Sequence, residues 1–167
     1  MSISQLLLPE FEQEMKTTRK YLERVPADKA AFQPHEKSMR LERLAGHVAE
    51  LAGWITATLT GDSLDLAPKD GPKWEPLVSA DSATLLAAFD RNVAEARQAL
   101  LAAKDEDFGR EWSLLRGGQT LLRMPKGAVL RSFALNHLVH HRAQLGVYLR
   151  MNGVPVPATY GPTADER

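Results

Sequence analysis

Apolar side chains return every three or four positions along four stretches of the chain, with polar residues between them. That spacing gives an α-helix one buried face. In the first stretch, about residues 4–25, Leu7, Phe11, Met15, Thr18 and Leu22 align as a stripe. Pro9 suits a first turn, where its missing N–H matters least, and would kink a helix that began earlier. The second stretch, roughly 39–60, carries Leu41, Leu44, Val48, Leu51 and Ile55, with Ser38 as its predicted N-cap and Gly61-Asp62 as its stop. In the third, about 82–103, Leu86, Phe89, Val93, Ala96 and Leu100 form the predicted buried side, and Asp81 the cap. The fourth starts near Pro125–Gly127 and runs to about Asn152, with Gly153 as its stop.

The segments between these helices have a different composition. Residues 61–81 are rich in Gly, Pro, Asp and Ser and read as a loop over the body. Residues 104–126 are irregular, and Gly117-Gly118 between two short apolar runs allows a hairpin or an extended excursion. The tail from Val154 holds three prolines and is expected to lie extended along the body. Four amphipathic helices without a sustained strand pattern predict an all-α, up-down four-helix bundle, with a long loop after helix two and an irregular segment before helix four. The length fits one domain, residues 1–167.

Composition narrows the chemistry. Lysine plus arginine equal aspartate plus glutamate, 21 against 21, so the basic excess of a nucleic-acid binder is missing. No glycine-rich phosphate loop is present. No stretch has the apolar length of a membrane span, and nothing at the N-terminus reads as a secretory signal. The expectation is a soluble, cytoplasmic protein without nucleic-acid or membrane partners. The chain has no cysteine, which removes disulfides, thiolate metal ligands and a cysteine nucleophile.

Three of the five histidines crowd into "NHLVHHRAQLGVYLR", residues 136–150. At about 100° per residue, His137 and His141 share one helix side, and Leu130, Ala134 and Tyr148 fall beside them, so the pair is expected to point into the apolar stripe. His140 falls toward the edge, and Arg142 well off the pair's axis. An i,i+4 pair can converge on one divalent ion, the spacing of HExxH helices, although the glutamate of that motif is missing here. The same pair can equally be two hydrogen-bonded core histidines. His47 borders the stripe of helix two, either as a flank histidine or as a third ligand reaching a neighbouring helix. With it, three imidazoles would make a His₃ site with an open position, as in catalytic metal sites. His35, beside Pro34 in a loop, reads as solvent-exposed.

The stretches "SMRLERLAGHVAELAGW", "NHLVHHRAQLGVYLR" and "PVPATYGPTADE" resemble the DinB/YfiT-like superfamily of metal-dependent bundle proteins. The resemblance covers most of the chain, and H-x3-H followed by R-x-Q is its sharpest part. It implies a four-helix bundle holding a divalent metal, often zinc or nickel, on three histidines, which by position are His47, His137 and His141. It also implies a homodimer. Relatives include thiol-dependent S-transferases and a maleylpyruvate isomerase that use low-molecular-weight thiols such as bacillithiol or mycothiol.

An ion on three neutral ligands strongly acidifies bound water or thiol. With no cysteine in the chain, the nucleophile must be water, as in a hydrolase, or a thiol brought by a cosubstrate, as in an S-transferase. Gln144, on the same face as the pair, and Glu50, one turn after His47, are candidates to accept the outer imidazole N–H groups; each is also an ordinary helix residue. His140 could shuttle protons, or pair at the surface. Trp54, Phe133 and Tyr148 are either pocket lining or plain core. The leading expectation is a metal-dependent small-thiol S-transferase or related small-molecule transferase or hydrolase. The alternative is a non-catalytic metal- or ligand-binding dimeric bundle.

Overall fold

Ser2 opens the first helix with a reciprocal cap: its hydroxyl accepts from Gln5 N (3.2 Å) and its own N–H donates to Gln5 Oε1 (2.8 Å). That cap fixes the start of α1 (Ile3–Leu22) in the computed structural model, which describes residues 1–166. The helix begins within a residue of its predicted start, but Pro9 lies inside it rather than in its first turn, and cannot donate to the carbonyl of Gln5. Phe11, Met15, Thr18 and Leu22 are buried as their spacing predicts, and Leu7 is half-buried.

The second predicted helix is two, α2 (Leu41–Glu50) and α3 (Gly53–Thr60). Leu51 and Ala52 keep right-handed helical angles. The bonds there tighten to the three-residue span, Trp54 N to Leu51 O (3.2 Å) and Ile55 N to Ala52 O (3.1 Å). The N-cap is Arg40 rather than Ser38, and no side chain caps it. The backbone does that work instead: Phe32 O accepts from Leu41 N (2.8 Å) and Ala30 O from Glu42 N (3.1 Å). A short 3₁₀ turn, Ala27–Lys29, precedes that loop.

The expected all-α class needs correction, because a small sheet is present. β1 (Ser63–Asp65) pairs in parallel with β2 (Glu111–Arg116), which pairs antiparallel with β3 (Gln119–Pro125). Gly117 and Gly118, with φ of +59° and +78°, form the tight turn that a two-residue hairpin demands. Asp65 ties the strands together by accepting from Gly117 N (2.8 Å) and Gly118 N (2.7 Å). The three residues of β1 are too few to show a period in sequence, and the face β2 buries is only Trp112 and Leu114.

Asp81 caps α4 (Ser82–Ala102) as predicted, accepting from Thr84 N at 2.8 Å. The buried stripe is shifted by one residue at its start: Leu85, Phe89, Ala96 and Leu100 are buried, while Leu86 and Val93 are half-buried. A 3₁₀ segment, Asp105–Gly109, leads into the hairpin. The last helical run joins α5 (Lys126–Val129), a π-helical stretch (Leu130–Asn136) and α6 (His137–Met151), and the residues at each junction keep helical angles. Gly153, at φ +71°, ends it. The helices enclose one large core, and a smaller cluster of Trp112, Leu114 and Val129 sits under the sheet. Among the described residues no helix is long and apolar enough to cross a membrane.

The tail returns along α1 and α6. Tyr21 Oη contacts Thr159 Oγ1 (2.7 Å), Arg24 pairs with Glu166, and Arg150 binds Asp165. Arg142, expected off to one side of α6, is in the core and 2 % exposed. Its guanidinium donates to Glu14 O (3.2 Å), Thr18 Oγ1 (3.1 Å) and Tyr160 Oη (2.8 Å). It also meets Glu14 Oε2 at 2.6 Å, a charge contact rather than an aligned hydrogen bond.

Candidate metal centre

Two helices bring three imidazoles together. α2 carries His47 near its C-terminal end and packs on α6, which begins at His137. His137 and His141, one turn apart, lean toward His47. The Nε2 atoms of His137 and His141 are 2.9 Å apart, and those of His137 and His47 are 3.4 Å apart. One ring nitrogen from each histidine falls within 4.8 Å of the other two. All three rings are half-buried. The pair therefore does not point into the core as its phase suggested. The buried face of α6 is centred on Leu138, Arg142, Leu145 and Leu149, and the histidines flank it. The border position suits a centre that must be reached from outside.

The outer nitrogens decide the tautomers. His137 Nδ1–H donates to Phe133 O (3.3 Å), and His141 Nδ1–H donates to Gln144 Oε1 (2.7 Å). Phe133 lies in the π-helical stretch, at whose end the His137 backbone N–H donates to Ala134 O. Both Nε2 atoms are then unprotonated, so two lone pairs face each other across 2.9 Å. Such an approach is repulsive unless a cation lies between them. A proton is a poor candidate, since burial is the main force lowering both pKa values, with the neighbouring histidines adding to it: His137 falls below its ordinary value and His141 goes down to about 4. A divalent ion fits better. Metal–imidazole bonds of about 2.0–2.1 Å in a tetrahedral set put ligand nitrogens about 3.4 Å apart.

His47 is held differently. Its Nδ1 lies 3.8 Å from Glu50 Oε2 and 3.4 Å from the Arg43 guanidinium. Glu50 in turn accepts from Arg43 (3.1 Å) and from the backbone N–H of Leu77. Arg43 also donates to Leu77 O (3.0 Å) and stacks over Trp74 at 5.6 Å. Arg43, His47 and Glu50 share one face of α2 by their spacing, which does not show that Arg43 also reaches Leu77 and Trp74 in the loop.

The other predicted site residues separate. His140 is exposed, its ring centroid 4.8 Å from that of His141. His35 is exposed in its loop. Tyr148 combines both readings: it is 8 % exposed, donates to Met39 O (3.0 Å), and lines a cleft of about 250 Å³ beside His141 and Gln144. Phe133 packs on His137 and, with His140, edges a shallow depression on the other flank. Trp54 packs on Phe133 and Trp112 and lines a larger, separate cleft.

The whole chain, residues 1–167, matches the DinB family. An uncharacterized protein, YrdA of Bacillus subtilis (strain 168), is 27% identical over 159 residues, covering 95% of this chain and 89% of its own. A DinB-like protein from Bacillus cereus ATCC 10987 shares the fold with a TM-score of 0.70 and 21% identity, over 92% of this chain and 95% of its own. A second DinB-like protein, YjoA of Bacillus subtilis, gives a TM-score of 0.65 and 18% identity, over 97% and 99%.

Proposed function

Because the chain belongs to the DinB family, we propose that it is a divalent-metal-dependent enzyme acting on a small molecule, with His47, His137 and His141 as ligands. The observation that carries this reading is the convergence of three Nε2 atoms whose outer nitrogens fix two of them in the ligating tautomer. A zinc or nickel ion on three neutral imidazoles would supply Lewis acidity toward water or thiol at its open position. The remaining work belongs to the chain's own residues. Phe133 O and Gln144 orient the α6 pair, and Glu50, braced by Arg43 and Leu77, sets the charge behind His47. His140, exposed beside His141, exchanges protons with solvent. The absence of cysteine means that a thiol nucleophile comes from a cosubstrate, which favours a small-thiol S-transferase or a related transferase or hydrolase.

The experiment is metal analysis of protein purified without a histidine tag. About one zinc or nickel per chain is expected, falling to trace in His137→Ala. A folded His137→Ala variant that keeps its metal would refute the ligand assignment. Loaded protein screened with low-molecular-weight thiols and electrophiles should show turnover that His141→Ala abolishes. Turnover surviving that change would remove the metal from the chemistry.

A further inference from the structure

Behind His47, a cleft of about 510 Å³ opens between a loop strap at Trp74–Leu77, the α2–α3 junction and α4. None of the three histidines lines it. Its size is that of a small-molecule pocket. The strap is pinned against α2 at several points: Leu77 N–H on Glu50, Leu77 O on Arg43, Ser79 N–H on Glu42 O (3.2 Å), and the Arg43 guanidinium over the Trp74 ring. Gly46 makes this possible, because a Cβ there would lie 2.0 Å from Leu77 O. One wall of the cleft is thus built from fixed contacts.

The groups that line it differ in what they have left to give. Glu50 is spent on Arg43 and Leu77. Arg91, from α4, has no carboxylate partner among the described residues, and Glu75, from the strap, has no cationic one. Asn92 commits Nδ2 to Ala49 O (3.0 Å) and keeps Oδ1 as a free acceptor. Trp54 and Trp74 contribute the large apolar surfaces, and Trp74 is 44 % exposed. Among the described residues of the lining, exposed Arg91 and the spare Asn92 acceptor lie on the α4 wall and exposed Glu75 on the strap, a set that does not suit a ligand of a single charge.

We propose that this cleft binds a small zwitterion with an apolar body, such as an aromatic amino acid or its derivative. The carboxylate pairs with Arg91, the ammonium with Glu75 and Asn92 Oδ1, and the ring lies against the indoles. The site does not depend on the metal centre.

Isothermal titration of the full chain with three probes of one ring system tests this. L-Tryptophan carries both charges, indolepropionate only the negative and tryptamine only the positive. L-Tryptophan should bind about tenfold more tightly than either of the others. Arg91→Ala should weaken L-tryptophan and indolepropionate about tenfold and leave tryptamine unchanged. Glu75→Gln should weaken L-tryptophan and tryptamine but not indolepropionate, and Trp74→Ala should weaken all three. His137→Ala should change none of them, which separates this site from the metal reading. The proposal fails if no probe binds at about 10 mM, if a singly charged probe binds more tightly than L-tryptophan, or if a folded Arg91→Ala variant binds all three as before.

Discussion

His137 and His141 are neutral for a physical reason that can be measured without any ligand. Burial takes them out of water and neighbouring imidazoles repel a second charge, so the folded chain holds their pKa values below the ordinary 6.5 of the unfolded state. A histidine depressed in this way contributes its share of stability above the unfolded pKa. That share is lost as acid protonates the unfolded chain first. The metal-free protein should therefore lose stability progressively from about pH 6.5 down to about 4, the value His141 reaches. Denaturant unfolding across that range checks it. A His137→Gln, His141→Gln double variant should show a flatter profile there, and an unchanged profile would mean that other groups carry the acid sensitivity. At this scale the sequence was informative about identity and poor about surroundings. The i,i+4 pair and Gln144 were visible as spacing, whereas Phe133 O, the partner of His137, lies in a π-helical stretch that no residue pattern announced.

Elements show where local signals stop. Asp81 and Gly117-Gly118 act locally, and both did what their chemistry predicts. Ser38 has equally good capping chemistry, yet α2 starts at Leu41, because carbonyls of the preceding loop reach its first N–H groups. The strap over α2 is a similar case. Gly46 looks like a weak point inside a helix, but it is the position that lets Leu77 O approach. Gly46→Ala improves helix propensity and should nonetheless destabilise the protein by about 1–3 kcal/mol, the cost of overpacking a close contact. Thermal or denaturant unfolding reads that cost, and a neutral or stabilising result would show that the strap yields freely. The same variant should loosen the Arg43–Glu50 support behind His47.

Across the whole molecule, one buried side chain links three parts of the chain that are far apart in sequence. Arg142 on α6 holds Glu14 and Thr18 of α1 and Tyr160 of the tail. Tyr160 Oη donates onward to Glu14 Oε1 at 2.9 Å, closing the network. Removing the cation leaves a carboxylate buried without its partner, so Arg142→Ala should cost about 3–5 kcal/mol. Adding Glu14→Gln should recover part of that loss, because the uncompensated charge goes with it. Chemical denaturation of the two variants decides it; additive losses would mean that Arg142 acts through packing alone. In sequence this arginine stood well off the axis of the histidine pair, as the first residue of the R-x-Q that follows it. Its burial depends on an acid 128 positions away in the chain.

Periodicity and composition alone determined the four helical stretches and the missing cysteine nucleophile, because each depends on residues close together or on totals. They left residues 104–126 between a hairpin and an extended excursion, and the set of His47, His137 and His141 rested on the resemblance to the DinB/YfiT-like superfamily. Tertiary structure decided the rest: the short parallel strand, the break after Glu50, the burial of Arg142, and the convergence of His47 with the α6 pair. These depend on distances between segments remote in sequence, and hydrophobic spacing records which side of a helix is buried without recording what it is buried against.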